Sequence, residues 1–272
     1  MASEDDIARE LAEIALQAGV AILRHYQEGT SARLKADASP VTAADEEAEA
    51  IILQALAERF PSHMVLAEES VARDGLPARL ADDYFLVDPL DGTREFLARN
   101  GEFTVNIALM RKDAPAAGVV YAPALGLIFW GGCKAYRSHL SQGALVLPKG
   151  DAIQCRTALQ PLAALQSRSH LSEADKIALA ELGPHLTRPV GSSLKFGYIA
   201  SGEADVTLRL GPTMEWDTAA GDAVLRAAGG MTFTAEGDIM RYGKLQHGLK
   251  NGAYAAWGEP ARGQGRSWLR LN

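Results

Sequence analysis

Tyr84-Phe85-Leu86-Val87-Asp88-Pro89-Leu90-Asp91-Gly92-Thr93 carries the chain from a continuous apolar run into two carboxylates, a proline and a glycine turn. A short apolar run bounded by turn residues reads as a buried strand. Acids at the end of such a strand stand where sites gather in α/β folds. Two carboxylates and a Gly-Thr turn in one loop suit a hard divalent cation beside a phosphate. Taken alone, the stretch also reads as a strand followed by an ordinary polar turn.

Working outward, the segments alternate between helical and strand patterns. Ser3 before Glu4, Asp5 and Asp6 reads as a capped helix start, with Ile7, Leu11, Ile14, Ala18 and Ile22 at helical spacing down to about Tyr26. A second helix is predicted from Thr42 to Glu58, stopped by Pro61, and Thr42 to Asp45 forms a capping box. Met64 to Ala67 reads as a strand running into Glu68-Glu69-Ser70, a solvated strand end if it carries no chemistry. After Thr93 comes a short helical segment. The alternation of Phe103, Val105, Ile107 and Leu109 with Thr104, Asn106 and Ala108 then predicts a strand with one buried face.

Gly118 to Tyr121 and Gly126 to Trp130 read as a hairpin. Scattered Gly and Pro from about 138 to 160 suggest a soft boundary. On that basis residues 1–140 form an N-terminal α/β part with the main metal-binding loops, and 141–272 a C-terminal α/β part. The second part shows a strand near Ala164-Leu165, a helix from Ser172 to Leu182 and a strand over Ala204 to Leu208. A last helix begins at Asp217, as N-cap, and stops at Gly229-Gly230. Layered α/β architecture follows.

Composition narrows the function. The chain has 272 residues, with 34 acidic against 27 basic side chains and a net charge of -7. That balance argues against a nucleic-acid polymer as partner, which needs a basic stripe, but leaves room for a single nucleotide. Cys133 and Cys155 are too few for a disulfide framework or zinc cluster, and no histidine pair has metal-ligand spacing. No signal-peptide core and no membrane-spanning apolar stretch is visible. A soluble cytoplasmic protein is expected, with peripheral attachment at the inner face of the cell membrane left open.

The chemistry rests on the acids. Asp88 and Asp91 are three residues apart, not two as in phosphatases of the haloacid dehalogenase type. The spacing fits metal binding better, with the Leu90 carbonyl free to join as a ligand. Together with Glu68 or Glu69, Asp45 and Asp217, these residues would suffice for a multi-metal phosphoryl site.

Glu68-Glu69, Asp88-Pro89-Leu90-Asp91-Gly92-Thr93 and Trp216-Asp217, followed by Ala219, Ala220 and Gly221, resemble the lithium-sensitive, magnesium-dependent inositol monophosphatase superfamily. The likeness runs from roughly Ser39 to Gly258. Ser39 to Asp45, Ser167-Arg168-Ser169-His170, Gly191 to Phe196 and Arg209-Leu210-Gly211-Pro212-Thr213 are similar to the bacterial 3'(2'),5'-bisphosphate nucleotidase branch. The resemblance implies an αβαβα sandwich of the sugar-phosphatase type and two or three Mg2+ ions. By the same resemblance Glu68, Asp88 and the Leu90 carbonyl would hold one ion, and Asp88, Asp91 and Asp217 a second. Asp45 and Glu68 would help place a third ion or the attacking water, which Thr93 beside Asp45 would orient.

Backbone N–H groups of Gly92 and Thr93 would cradle the scissile phosphate. Ser193, Lys195 and Arg209 are the candidates for the second phosphate, whereas Arg168 and His170 would shape the loop without catalysing. The reaction implied is hydrolysis of the 3'-phosphate of 3'-phosphoadenosine 5'-phosphate to AMP, with 3'-phosphoadenylyl sulfate as a further substrate. The alternative is a phosphatase of inositol or other sugar phosphates. A non-catalytic nucleotide-binding regulator is disfavoured because every catalytic acid is present. Superfamily members occur as monomers and homodimers, and both states stay open.

Overall fold

The computed structural model describes residues 2–29, 32–34 and 40–267; Ser39 of the motif above lies outside the described residues. Among the described residues twenty-three α-helices and β-strands follow in chain order. They are α1 (Glu4–Glu28), β1 (Arg33–Leu34), β2 (Pro40–Val41), α2 (Ala43–Arg59), β3 (Met64–Ala67), α3 (Glu68–Asp74), β4 (Asp83–Asp91) and α4 (Thr93–Leu97). Next come β5 (Thr104–Arg111), β6 (Ala114–Ala122), β7 (Leu127–Gly131), β8 (Ala135–His139), β9 (Asp151–Ile153), β10 (Leu162–Ser167), α5 (Glu173–Glu181) and β11 (His185–Val190). The last are α6 (Leu194–Ala200), β12 (Val206–Arg209), β13 (Thr213–Met214), α7 (Glu215–Ala227), β14 (Met231–Thr234), β15 (Lys250–Asn251) and β16 (Tyr254–Trp257).

Strands β3 to β9 form one sheet in sequence order, parallel between β3 and β4 and antiparallel from β4 onward. A second sheet has the order β11-β10-β12-β16-β14, with its first three strands parallel. Helices α1 and α2 cover the outer face of the first sheet; α6 and α7 lie between the sheets; α5 covers the far face of the second. The result is the αβαβα sandwich, and three hydrophobic clusters fill its interfaces. Phe85, Val87, Val105 and Ile107 pack towards α1 and α2. Tyr84, Leu86, Ala108 and Met110 pack towards α6 and α7. Leu162, Val206 and Phe233 pack with Ala178 and Leu179 of α5.

This layering corrects one reading of the sequence. β5 is buried on both faces, not one, because helices cover both sides; its alternate positions include the small or polar Thr104, Asn106 and Ala108. The polar alternation marked a site rather than solvent. Several elements carry little periodicity and were not foreseen: β11, α6, β14 and β16. β11 is an exposed sheet edge containing Pro189, which gives it no apolar stripe to read.

Two helix starts also differ from the prediction. Glu68 is not a strand end but the first residue of α3. Asp217 is not the N-cap of α7 but its third residue, where its Oδ2 accepts the Met214 N–H at 2.8 Å. Ser3 and Thr42 cap α1 and α2 as expected, and Ser172 caps α5. Both cysteines are free thiols. Among the described residues no helix is long and apolar enough to cross a membrane.

Candidate active site

The parallel strands β3 and β4 end side by side, Ala67 opposite Val87, so their next residues deliver Glu68 and Asp88 to one place. The three-residue spacing of Asp88 and Asp91 is resolved by the ladder to β5. Asp88 pairs with Asn106 and Asp91 with Thr104, three steps against two, which is a one-residue bulge at Pro89-Leu90. A regular strand would send residues three apart to opposite faces; the extra residue turns both carboxylates towards the same cavity. Proline is tolerated there because a bulge leaves a ladder donor out. The Leu90 N–H is satisfied by Asp88 Oδ1 at 3.0 Å.

Helix α7, lying against β4 to β7 through Ala219, Ala220 and Ala223, brings in Asp217 from the other side. Carboxylate oxygens of Glu68, Asp88 and Asp217 lie within 4.8 Å of one another. Burial, and then the charges of Asp91 and Glu68, push the Asp217 pKa well above the ordinary carboxylate range. An all-oxygen set of converging acids, at least one of them strained by the others' charge, is the donor chemistry a hard divalent cation takes.

Asp91 stands deeper. Its Oδ2 accepts the Ser193 N–H and hydroxyl, both at 2.8 Å, and lies 3.4 Å from Asn106 Nδ2 and 3.5 Å from Thr104 Oγ1. Burial raises its pKa despite those donors. Ser193 is 2% exposed. Its hydroxyl also lies 2.7 Å from the Asp217 carbonyl and accepts from Asn106 Nδ2 at 2.9 Å. One O–H cannot serve two acceptors fully, so this side chain is committed to joining the Asp91 loop to α7.

Gly92 caps α4 in the left-handed conformation at φ 90°, which a side chain would strain. Thr93 follows, and its Oγ1 donates to Asp45 Oδ1 at 3.3 Å. Asp45 has a double duty that the sequence presented as a choice. Its Oδ2 closes the capping box, accepting the Thr42 N–H at 2.8 Å and hydroxyl at 2.7 Å, while Oδ1 meets Thr93. One turn further along α2, Glu49 is 3% exposed. It accepts the Glu69 N–H at 2.8 Å and the Ser70 hydroxyl at 2.6 Å, capping α3 and holding Glu68. Sequence reasoning missed Glu49; its place at i+4 from Asp45 was the available signal.

Glu68, Asp88, Leu90, Asp91, Gly92, Thr93, Ser193, Lys195, Arg209 and Asp217 all line one cavity of about 460 Å³, with Asp45 behind Thr93. The same cavity also carries a cationic side. Lys195 donates to the carbonyls of Ser192 at 2.6 Å and Val190 at 3.3 Å. Burial draws its pKa down to about 8, against the pull of Asp91. Arg209 Nη1 donates to the His170 carbonyl at 3.0 Å, and its Nε is buried without a partner among the described residues. His170 lines the same wall, its pKa lowered by burial and then by Arg209 and Arg94. Arg94, exposed on the rim, is a further lining cation that the sequence reading passed over; its place directly after Thr93 was the clue.

The inositol monophosphatase family signature matches residues 3–263, and the chain belongs to that family. Among its relatives, the 3'(2'),5'-bisphosphate nucleotidase CysQ of Shigella flexneri is 43% identical, covering 86% of this chain and 92% of that protein. The CysQ nucleotidase of Buchnera aphidicola is 37% identical over 86% of both chains. Among solved structures, CysQ from Bacteroides thetaiotaomicron, a bacterial family member, superposes with a TM-score of 0.76 at 35% identity, over 93% of this chain and 97% of that one. An inositol monophosphatase from Anabaena shares the fold at TM-score 0.72 and 24% identity, over 95% and 92% of the two chains.

Proposed function

We propose that the protein is a 3'(2'),5'-bisphosphate nucleotidase that hydrolyses the 3'-phosphate of 3'-phosphoadenosine 5'-phosphate, giving AMP and phosphate. The observation that carries this reading is a single cavity with an acidic wall and a cationic wall. A substrate with two separated phosphates can put one against each. The nucleotidase names of the CysQ relatives support the same substrate class.

Glu68, Asp88, Asp217, Asp91 and the Leu90 carbonyl are the groups to hold Mg2+. Bound there, the metal supplies positive charge at the phosphate and lowers the pKa of a water. The remaining work falls to the chain. Asp45, its Oδ2 fixed by Thr42, presents Oδ1 to the Thr93 hydroxyl. Thr93 Oγ1 accepts a hydrogen bond from the attacking water when its own proton points to Asp45, so water, Thr93 and Asp45 form one relay. The water proton passes along it to Asp45 as oxygen bonds to phosphorus and the P–O3' bond breaks; the leaving 3'-oxygen takes a proton from solvent water to become the ribose hydroxyl, and Asp45 gives its proton up to solvent. The first N–H groups of α4, which have no helical acceptor, steady the phosphate oxygens.

Lys195 and Arg209 hold the 5'-phosphate. Ser193 contributes by orienting Asp91. 3'-Phosphoadenylyl sulfate, with a sulfated 5'-phosphate, suits the same wall. Phosphate release from 3'-phosphoadenosine 5'-phosphate and from inositol 1-phosphate, with Mg2+ and with added Li+, tests the reading. A higher kcat/KM on the nucleotide and inhibition by Li+ are expected; a large preference for inositol 1-phosphate would overturn it.

A further inference from the structure

Lys195 follows the 191–193 loop in α6, Arg209 ends β12 and His170 lies in the loop after β10, all on the side of the second sheet, whereas Glu68, Asp88 and Asp91 hang from strands of the first sheet and Asp217 from α7 between the two sheets. Something must fix the distance between them. Glu102, between α4 and β5, lies outside the cavity lining and reaches across to both loops. Arg168 donates to it bidentately, Nε to Oε2 at 2.6 Å and Nη2 to Oε1 at 2.8 Å. The Gly191 N–H donates to the same Oε2 at 2.7 Å. Arg168 Nη2 also reaches the Pro189 carbonyl at 3.0 Å, tying the two loops to each other. Charge-assisted bidentate pairs of this kind fix geometry as well as adding energy.

The contact tolerates little slack. A Cβ on Gly191 would sit 2.7 Å from the Glu102 carbonyl oxygen, 2.8 Å from Glu95 Cγ and 2.9 Å from Glu102 Cβ. Ser192 next to it is held at φ 50°, a conformation that costs energy in a residue with a side chain. That turn aims Ser192 Oγ at the Asp91 carbonyl, 2.8 Å away, and offers the Ser192 carbonyl to Lys195 Nζ at 2.6 Å. A second carboxylate, Glu95 of α4, is buried and accepts the Ser169 hydroxyl, next to His170.

We infer that Glu102, with Arg168, is a positioning strap that sets the span between the reacting-phosphate wall and the second-anion wall, and so sets selectivity for substrates carrying two anionic groups. The inference rests on the nucleotidase reading proposed above. Glu102 holds Gly191, Gly191 seats the strained Ser192, and Ser192 seats Lys195. Loosening the first link acts first on Ser192 and Lys195, while the Asp91 carboxylate keeps its own bonds to the Ser193 N–H and hydroxyl.

The test is steady-state kinetics of Glu102→Gln and Arg168→Gln on 3'-phosphoadenosine 5'-phosphate and on a phosphate monoester with no second anion, such as inositol 1-phosphate. In each variant KM for the bisphosphate should rise about tenfold with kcat changed less than about twofold, the size one weakened charged contact can transmit. Constants for the monoester should stay near the parent values. The double variant should be no worse than either single one, because both break one link. An unchanged bisphosphate KM, or an equal loss of kcat on both substrates, overturns the strap. Arg168→Gln keeps the test open if Glu102→Gln folds poorly, since the Arg168 side chain is 38% exposed. A parent enzyme preferring inositol 1-phosphate would instead sink the nucleotidase reading; a parent preferring the bisphosphate with indifferent variants would sink the strap alone.

Discussion

The two walls of the cavity are built in different ways. The acidic wall hangs from strand ends and helix starts: Glu68 after β3, Asp88 and Asp91 around one bulge in β4, and Asp217 in the first turn of α7. On the cationic side Lys195 of α6 and Arg209 of β12 sit against loops whose positions depend on contacts between residues 66 and 101 apart in sequence, Arg168 with Glu102 and Ser192 with Asp91. Rigid elements suit chemistry that needs fixed acids, while loops on a second sheet suit a choice of substrate that can vary. Damage on the acidic side should therefore appear in kcat and damage on the cationic side in KM.

The largest effect should come from Asp91→Asn. It should leave the protein folded, by circular dichroism, and lower magnesium-dependent phosphate release on every substrate by more than about a hundredfold, beyond the loss typical of an outer-shell partner. Retention of most activity would remove Asp91 from the metal set. Next, Thr93→Val keeps the shape and deletes the hydroxyl between water and Asp45. A fall in kcat on the order of 10²–10⁴ with little change in KM is expected for a lost proton relay; a KM effect alone would make Thr93 a binding residue.

On the other wall, Lys195→Ala should raise the bisphosphate KM by roughly ten- to a hundredfold, the worth of one charged hydrogen bond. Inositol 1-phosphate should respond less, and equal effects on both would count against a second-phosphate contact. The same residue gives a pH signature. Burial lowers its pKa to about 8, so it is cationic below that value and neutral above it. The bisphosphate KM should therefore climb as pH rises through about 8, and a flat profile relative to inositol 1-phosphate would exclude it. The smallest effect is expected at Glu49→Gln. Weakening the cap on α3 should cost about 1 kcal/mol in unfolding by urea and reduce Mg2+ affinity through Glu68; unchanged Mg2+ titration would limit Glu49 to stability.

The same contrast explains what the sequence disclosed. The apolar run into Asp88 was legible because strand, proline and acids are adjacent, and the caps at Ser3 and Thr42 each span four residues. Five-layer packing and the acid set followed from resemblance and local pattern together. The bulge that makes three-residue spacing work was invisible, since it exists only against β5. So was the engagement of Ser193, which reads as an open hydroxyl in Gly-Ser-Ser but is consumed by Asp91, Asn106 and the Asp217 carbonyl. Glu102 gave no local signal because its partners lie 66 and 89 residues away. β5 misled for a related reason, its polar alternation facing a buried site rather than water.

The division of labour between the walls is tested most directly by comparing adenosine 3'-phosphate with 3'-phosphoadenosine 5'-phosphate on the unaltered enzyme with Mg2+. The two share the reacting phosphate and the nucleoside, and differ only in the second phosphate. A KM at least about tenfold lower for the bisphosphate, at similar kcat, is the predicted result. Equal KM values for the two would contradict a cationic wall that selects its substrate.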